Sequence, residues 1–283
     1  MQYADREIIT SRQNQCVVAT GKLSEKKYRD KEKKFRIDGI KLLEEAVFAK
    51  AEIETVFLRQ GSAEKILDRL YCNLDHASVG EIKILSDGVF DKLSEEKSPE
   101  GVICTLKYID KIHKIVKIDN KEDAGALVTE LDGLRVFAIE SVRDPGNLGT
   151  MIRTAAAFGV DVLLLSNDCA DIYNSKTVRA AMGALFRQRI IRVSALELIL
   201  EGLSLSGRKT FAATLGRKAV ILGKNTLSAD DCIVVGNEGH GLSETIINAC
   251  DGNMLIPMAE GAESLNAAVA ASVCMWEQFG KKL

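Results

Sequence analysis

The chain has 283 residues, of which 46% are hydrophobic, and a formal net charge of −2 at pH 7. This length exceeds the usual single-domain size and predicts two domains with real cores, while the charge balance excludes a uniformly basic polyanion binder. Seven cysteines, odd in number and without a Cys-x-x-Cys pair, argue against a disulfide scaffold or a zinc site.

That cysteine usage fits a reducing cytosol, and no metal is expected. The amino terminus lacks a signal-peptide pattern. No apolar run approaches the roughly 20 residues that a membrane span requires, so the expectation is a cytoplasmic protein with no membrane contact.

In chain order, 8–34 reads as one or two polar, basic helices on the surface. Eight Lys/Arg fall between Lys22 and Arg36 against three acids, Glu25, Asp30 and Glu32. Residues 35–39 read as a short strand turning into a helix over 40–49, with Ile40, Leu43, Val47 and Phe48 on one face. A strand at 55–58, a helix at 63–70, a strand at 81–85, a helix at 87–93 and a strand at 101–108 complete a small alternating α/β domain spanning 1–108. A Lys/Ile alternation and then an unpatterned stretch place a linker at 109–130.

The second domain spans 131–283. Its opening is an apolar strand at 136–140, a Pro/Gly/Asn loop at 141–149, an Ala-rich helix at 150–159 and a second apolar strand at 160–165, which together predict a βαβ unit. The loop stands where a strand's carboxyl end meets a helix's amino end, the place where open α/β sheets keep ligands. Arg153 falls one helical turn beyond Gly149, free to reach back toward Asn147. A helix at 174–186, strands at 190–193, 210–215, 232–235 and 253–256, and helices at 196–203 and 266–279 follow. Strands separated by helices imply a parallel sheet covered on both faces.

Two further loops follow strands. Gly236-Asn-Glu238-Gly-His-Gly241 has three glycines in six residues, which lets backbone approach a ligand closely, and Glu238 adds a carboxylate. The other, from Ile256-Pro-Met to Ser264-Leu-Asn266, precedes the last helix, and Ser264 is placed to cap it. Taken singly, each is ordinary turn chemistry. A dinucleotide-dependent oxidoreductase is disfavoured because the first loop lacks Gly-x-Gly-x-x-Gly.

Asn147-x-Gly149-x-x-x-Arg153, Gly236-Asn-Glu238-Gly-His-Gly241 and Ile256-Pro-Met with Ser264-Leu-Asn266 resemble, in order and spacing, the three motifs of the SpoU (TrmH-like) branch of the SPOUT RNA methyltransferases. The amino-terminal part is similar, more loosely, to the ribosomal-protein-like substrate-binding domain that accompanies this branch, with Asp38 where Glu is usual. The resemblance implies a parallel sheet with a carboxy-terminal trefoil knot, a homodimer, S-adenosyl-L-methionine (AdoMet) as methyl donor and an RNA ribose 2′-hydroxyl as acceptor.

By position, the resemblance makes Asn147, Arg153, Glu238, Ser264 and Asn266 the catalytic set. It puts cofactor contacts at Gly236, Ile256 and Leu265, with the loop after Thr214 closing the adenine pocket. A guanidinium does not deprotonate in proteins, so Arg153 is read as clamping a phosphate and stabilising charge on the 2′-oxygen, with Asn147 orienting it. The proton would pass to water or to Glu238. Beside such a domain, Lys26, Lys27, Arg29, Lys33, Lys34 and Arg36 read as RNA contacts, and Arg179, Arg187, Arg189 and Arg192 as a second basic group for phosphates or dimer salt bridges. Ribosomal RNA is favoured over tRNA because a separate reader domain suits a large folded substrate. The alternatives are a tRNA 2′-O-methyltransferase and a non-catalytic RNA-binding protein.

Overall fold

The computed structural model describes residues 7–73, 79–215, 219–224, 227–237, 239–261 and 264–282. The chain divides into two units, Met1–Ile109 with Tyr173–Phe186, and Asp110–Ile172 with Arg187–Leu283.

The first unit carries β1 (Ile8–Ile9), α1 (Gln15–Lys22), α2 (Lys26–Glu32), β2 (Lys34–Asp38), α3 (Ile40–Phe48), β3 (Ile53–Arg59), α4 (Ala63–Asn73), β4 (Val79–Leu85), α5 (Asp87–Leu93) and β5 (Val102–Lys107). Its sheet has the order β1-β4-β3-β5-β2, parallel from β1 to β3 and antiparallel on either side of β5. Val89, Phe90 and Leu93 of α5 pack on Phe57, Leu85 and Ile103 of the sheet. In α3 the inward residues are Leu42, Leu43, Ala46 and Val47, whereas Phe48, expected on the same face, is 87% exposed at the helix's last position.

The second unit opens on β6 (His113–Val116) and α6 (Lys121–Glu130), in the stretch expected to be a linker. The Lys/Ile alternation there belongs to an edge strand, parallel to the strand at Arg189–Val193, and Asn120 caps α6 by accepting from the amides of Glu122 and Asp123. Next come β7 (Val136–Ile139), α7 (Pro145–Ala157) and β8 (Val162–Ser166).

The following segment is part of the first unit. It holds α8 (Ser175–Ala181), which stops where Met182 turns to φ 51°, so the single helix expected over 174–186 is a short helix followed by a 3₁₀ turn. Tyr173 stacks on Tyr108 with ring centroids 4.0 Å apart, and Ser175 donates to Glu95.

The second unit resumes with β9 (Arg189–Val193), α9 (Leu196–Leu205), β10 (Thr210–Ala213), β11 (Val220–Ile221), β12 (Cys232–Val235), α10 (Glu244–Ala249), β13 (Gly252–Leu255) and α11 (Ala267–Gln278). Its eight strands run in the order β11-β13-β10-β12-β7-β8-β9-β6, and every pairing is parallel.

β7 and β12 are buried along their whole length, as strands with both faces covered must be. Val136 and Ala138 join Leu127, Ile199, Leu203 and Ile246 in one core, and Phe137 and Ile139, alternating with them, are buried on the other face. There α7 and α11 pack together, with Thr154 and Ser272 hydroxyls 3.2 Å apart and the Phe158 ring 5.4 Å from that of Trp276.

Candidate active site

In the sheet β12 lies between β7 and β10, and β10 is next to β13, so the loops leaving the carboxyl ends of these strands share one edge. The first of these loops is shorter than the sequence suggested. Pro145 opens α7, where its missing N–H costs nothing, and Asp144 caps the helix by accepting from the Asn147 amide at 2.8 Å. Asn147 and Gly149 therefore lie in the first turns of α7. Arg153 stands one turn further, exposed and without a hydrogen bond or ion pair to any described residue.

The turn entering α7 is strained and held from several sides. Ser141 has φ 54°, a left-handed conformation that a residue with a β-carbon rarely adopts. Its amide donates to Ser166 Oγ at 2.8 Å, its hydroxyl donates to Asp168 Oδ2 at 2.5 Å, and its carbonyl accepts from Asn237 Nδ2 at 2.7 Å. Burial raises the Asp168 pKa, but hydrogen bonds from Ser141, Ser166 and Arg143 outweigh it and hold the carboxyl below the usual carboxylate range. Next door, Glu140 is 9% exposed and accepts from Ser243 twice, from the amide at 2.8 Å and the hydroxyl at 2.6 Å. Ser243 in turn caps α10.

The second loop is closed on itself. Asn237 and Gly241 exchange both backbone hydrogen bonds at 3.0 Å, and Asn237 Oδ1 accepts from the Gly239 amide at 2.7 Å. A β-carbon on Gly236 would come within 2.5 Å of the Gly241 carbonyl, so only glycine allows this return. Glu238 lies outside the described residues.

In the third loop the cap of α11 is Asn266, not Ser264 as the sequence suggested. Asn266 Oδ1 accepts from the amides of Ala268 and Val269, satisfying two first-turn donors. Its Nδ2 donates to Asn147 Oδ1 at 3.1 Å, which ties the first loop to the third. Ser264 lines a cavity of about 350 Å³ that also takes in Thr214, Gly236, Asn237, Ile256 and Leu265. The four positions expected to hold the cofactor and Ser264 thus meet in one cleft, while Asn147, Arg153 and Asn266 stand outside its lining.

Glu140, Ser141, Asp168 and Asn237 were missed as site residues. A lone carboxylate ending an apolar strand was a signal available for Glu140. Asp168 had none, because its partners include Ser141 and Arg143 from a loop about 25 residues earlier in the chain.

The basic stretch behaves differently from its sequence reading. Arg29 is 3% exposed and donates to the carbonyls of Leu23 and Ser24, and Arg36 is 7% exposed, bonded to the Leu93 carbonyl and paired with Glu95. Both guanidiniums are therefore buried and bonded within the first unit. Lys26 pairs with Asp30, Lys27 with Glu25 and Lys34 with Glu54, whereas Lys33 is exposed beside the Tyr108 ring. In the second basic group, Arg179 pairs with Glu96 and Arg189 with Glu130, and Arg192 clasps the carbonyls of Asn167, Cys169 and Ala170.

Comparison with known proteins gives these loops a context. The model of the SpoU rRNA Methylase family matches residues 134–276, and that of the MRM3-like substrate binding domain matches 14–104. The 23S rRNA (guanosine(2553)-2′-O)-methyltransferase RlmP of Bacillus subtilis (strain 168) is 30% identical over 272 residues, covering 96% of this chain and 99% of its own. The 23S rRNA (guanosine-2′-O-)-methyltransferase RlmB of Haemophilus influenzae is 26% identical, covering 81% and 89%. Among solved structures, the AdoMet-bound rRNA methyltransferase from Sinorhizobium meliloti superposes with a TM-score of 0.75 at 26% identity, covering 96% of each chain. On a family match spanning half the chain and all three loops, together with a relative aligned almost end to end, the chain belongs to the SpoU rRNA Methylase family.

Proposed function

We propose that the protein transfers a methyl group from AdoMet to the 2′-hydroxyl of a ribose in ribosomal RNA. The observation that carries this reading is the Asn266–Asn147 hydrogen bond, which fastens the acceptor-side helix α7 to the loop whose preceding residues, Ser264 and Leu265, line the cleft. Full-length relatives named for this reaction on 23S rRNA support the choice of substrate.

The cleft suits the cofactor on its own terms. Its volume is within the range of small-molecule sites, and its second loop can fold back on itself beside the cleft because Gly236 has no β-carbon. Thr214, Gly236, Ile256 and Leu265 would hold AdoMet largely through backbone groups, and the bound cofactor supplies an electrophilic sulfonium methyl. Asn147, fixed by Asn266, orients the ribose. Arg153, exposed on α7 and without an ion pair among the described residues, holds the neighbouring phosphate and stabilises negative charge growing on the 2′-oxygen. Glu238 or water takes the proton, and Ser264 assists from the cleft wall.

The proposal includes a homodimer and the trefoil-knotted path that the family implies. Val269, Val273 and Trp276 form an exposed apolar stripe along α11, as a helix packed against a second copy would present. The sheet order, with β12 laid between the earlier strands β7 and β10, agrees with a threaded chain. Among the described residues no helix is long and apolar enough to cross a membrane, which supports a cytoplasmic site of action.

The test is transfer of labelled methyl from AdoMet into total rRNA and total tRNA from a strain lacking the protein, followed by mapping of 2′-O-methyl stops. Label in rRNA at one ribose is the expected result. Label in tRNA alone would replace the substrate, and none in either pool, with AdoMet bound, would refute the activity.

A further inference from the structure

The first unit holds a second cavity, of about 570 Å³, between α1, α2 and one face of the sheet. Its floor includes Thr55 and Thr105, cross-strand partners on β3 and β5 that project from the same face, and Phe57 two residues along β3. Helix α1 contributes Gln15 and Lys22 to the wall, and α2 contributes Tyr28 and Lys31. Tyr28 is half-buried, with Lys22 Nζ 5.4 Å and Lys27 Nζ 4.7 Å from its ring centroid. No hydrogen bond among the described residues engages the side chains of Gln15, Thr55 or Thr105.

An aromatic ring, uncommitted amide and hydroxyl groups and ammonium groups at the rim make a specific combination. Its complement is a planar heteroaromatic ring with polar edges and an anionic tether. A nucleotide in an unpaired stretch of RNA has that chemistry, since an unstacked base can lie on an aromatic side chain and present its edges for hydrogen bonding.

The ion pairs argue the same way. Lys26, Lys27 and Lys34 are each matched by a nearby acid, and Arg29 and Arg36 are committed inside, so the stretch is too neutralised to grip a duplex by charge alone. Lys22 has no acidic partner among the described residues, and Lys31 has only Glu32 at 3.9 Å.

We propose that this cavity receives one extrahelical base of the RNA substrate, stacked on Tyr28, with the flanking phosphates on Lys22 and Lys31. The inference rests on the rRNA reading only for the source of the base. It makes the amino-terminal unit a reader of a looped-out nucleotide rather than a general phosphate-binding surface.

The test uses the full chain with the methyl-transfer cleft filled by saturating S-adenosylhomocysteine. The four nucleoside 5′-monophosphates are then titrated by isotope-edited NMR against the parent protein and the variants Tyr28→Ala, Tyr28→Phe and Lys22→Ala. At least one nucleotide should perturb residues of α1 and α2, with affinity reduced about tenfold in Tyr28→Ala and little changed in Tyr28→Phe. In methyl transfer, Tyr28→Ala and Lys22→Ala should raise KM for naked RNA with kcat and AdoMet affinity near parent values.

No nucleotide binding outside the cleft, or equal affinity in parent and Tyr28→Ala, would overturn the proposal. So would a KM effect seen with ribosomal particles and absent with naked RNA, which would make the face a protein-docking surface. Lys22→Ala removes an exposed side chain and keeps the test valid if Tyr28→Ala misfolds. Absence of transfer by the parent protein at saturating RNA would count against the methyltransferase reading and leave the nucleotide titration to judge the pocket.

Discussion

Arg153 and Asp168 show how differently two charged residues of one site are set. Arg153 is exposed on α7, with no hydrogen bond or ion pair to any described residue. Arg153→Lys should lower kcat by about 100-fold, because an ammonium cannot reproduce a guanidinium's fork, and leave AdoMet affinity unchanged by calorimetry. Near-normal turnover in that variant at neutral pH would remove the role assigned to it.

Asp168 is committed to the fold, bracing the left-handed Ser141 turn. Its folded pKa is lowered, with the bonds from Ser141, Ser166 and Arg143 overcoming burial, so its contribution to stability is present above the unfolded carboxylate value of about 4 and is lost as pH falls through the lower folded value. Urea unfolding should therefore separate Asp168→Asn from the parent at pH 7, and the two midpoints should begin to converge as pH falls below about 4 and meet once it is below the lowered folded value. A gap that persisted in acid would deny this ionisation a part.

At the scale of elements, α7 and α11 act as a pair. They share the Asn147–Asn266 bond at their amino ends, the Thr154–Ser272 contact further along and the Phe158–Trp276 contact toward their carboxyl ends. Asn266 both caps α11 and bonds α7, so Asn266→Ala should cost about 1 kcal/mol for the cap alone and also reduce kcat. Asn266→Asp keeps a capping oxygen and loses the donor to Asn147. Thermal unfolding should show Asn266→Asp near the parent while its turnover falls with that of Asn266→Ala. Equal activity of Asn266→Asp and the parent would make the bond to α7 dispensable.

The strands that present the loops are also braced at their opposite, amino ends. Asp251 accepts from Ser204, from the Thr210 amide at 2.8 Å and from the Thr210 hydroxyl at 3.0 Å, fixing the start of β10 beside β13. Together with Glu140 on Ser243, it holds the strands below the cleft by hydrogen bonds that no local sequence pattern announces.

At the scale of the molecule, the apolar stripe on α11 carries the prediction about assembly. A charge placed at Val273 or Val269 would be left buried in a helix-mediated dimer, so Val273→Asp and Val269→Asp should shift light-scattering mass toward the monomer at micromolar concentration. Unchanged mass in both variants would place any dimer contact elsewhere.

The sequence by itself determined the class of each unit and the family. Strands such as β7, β8 and β12 are continuous apolar runs because both faces of a parallel sheet are covered, and three spaced loop motifs survive as local strings of residues. Tertiary structure decided what each motif residue does. The sequence could not separate Asn266 from Ser264 as the cap of α11, since both are good capping residues and the backbone angles choose between them. Nor could it show that Arg29 and Arg36 are spent on carbonyls and acids inside the first unit, because a guanidinium's partners lie across strands and turns. Composition and period are local properties and are legible in a string. Burial, pairing and the strained turn at Ser141 depend on residues far apart in the chain, and exist only once the sheet has brought them together.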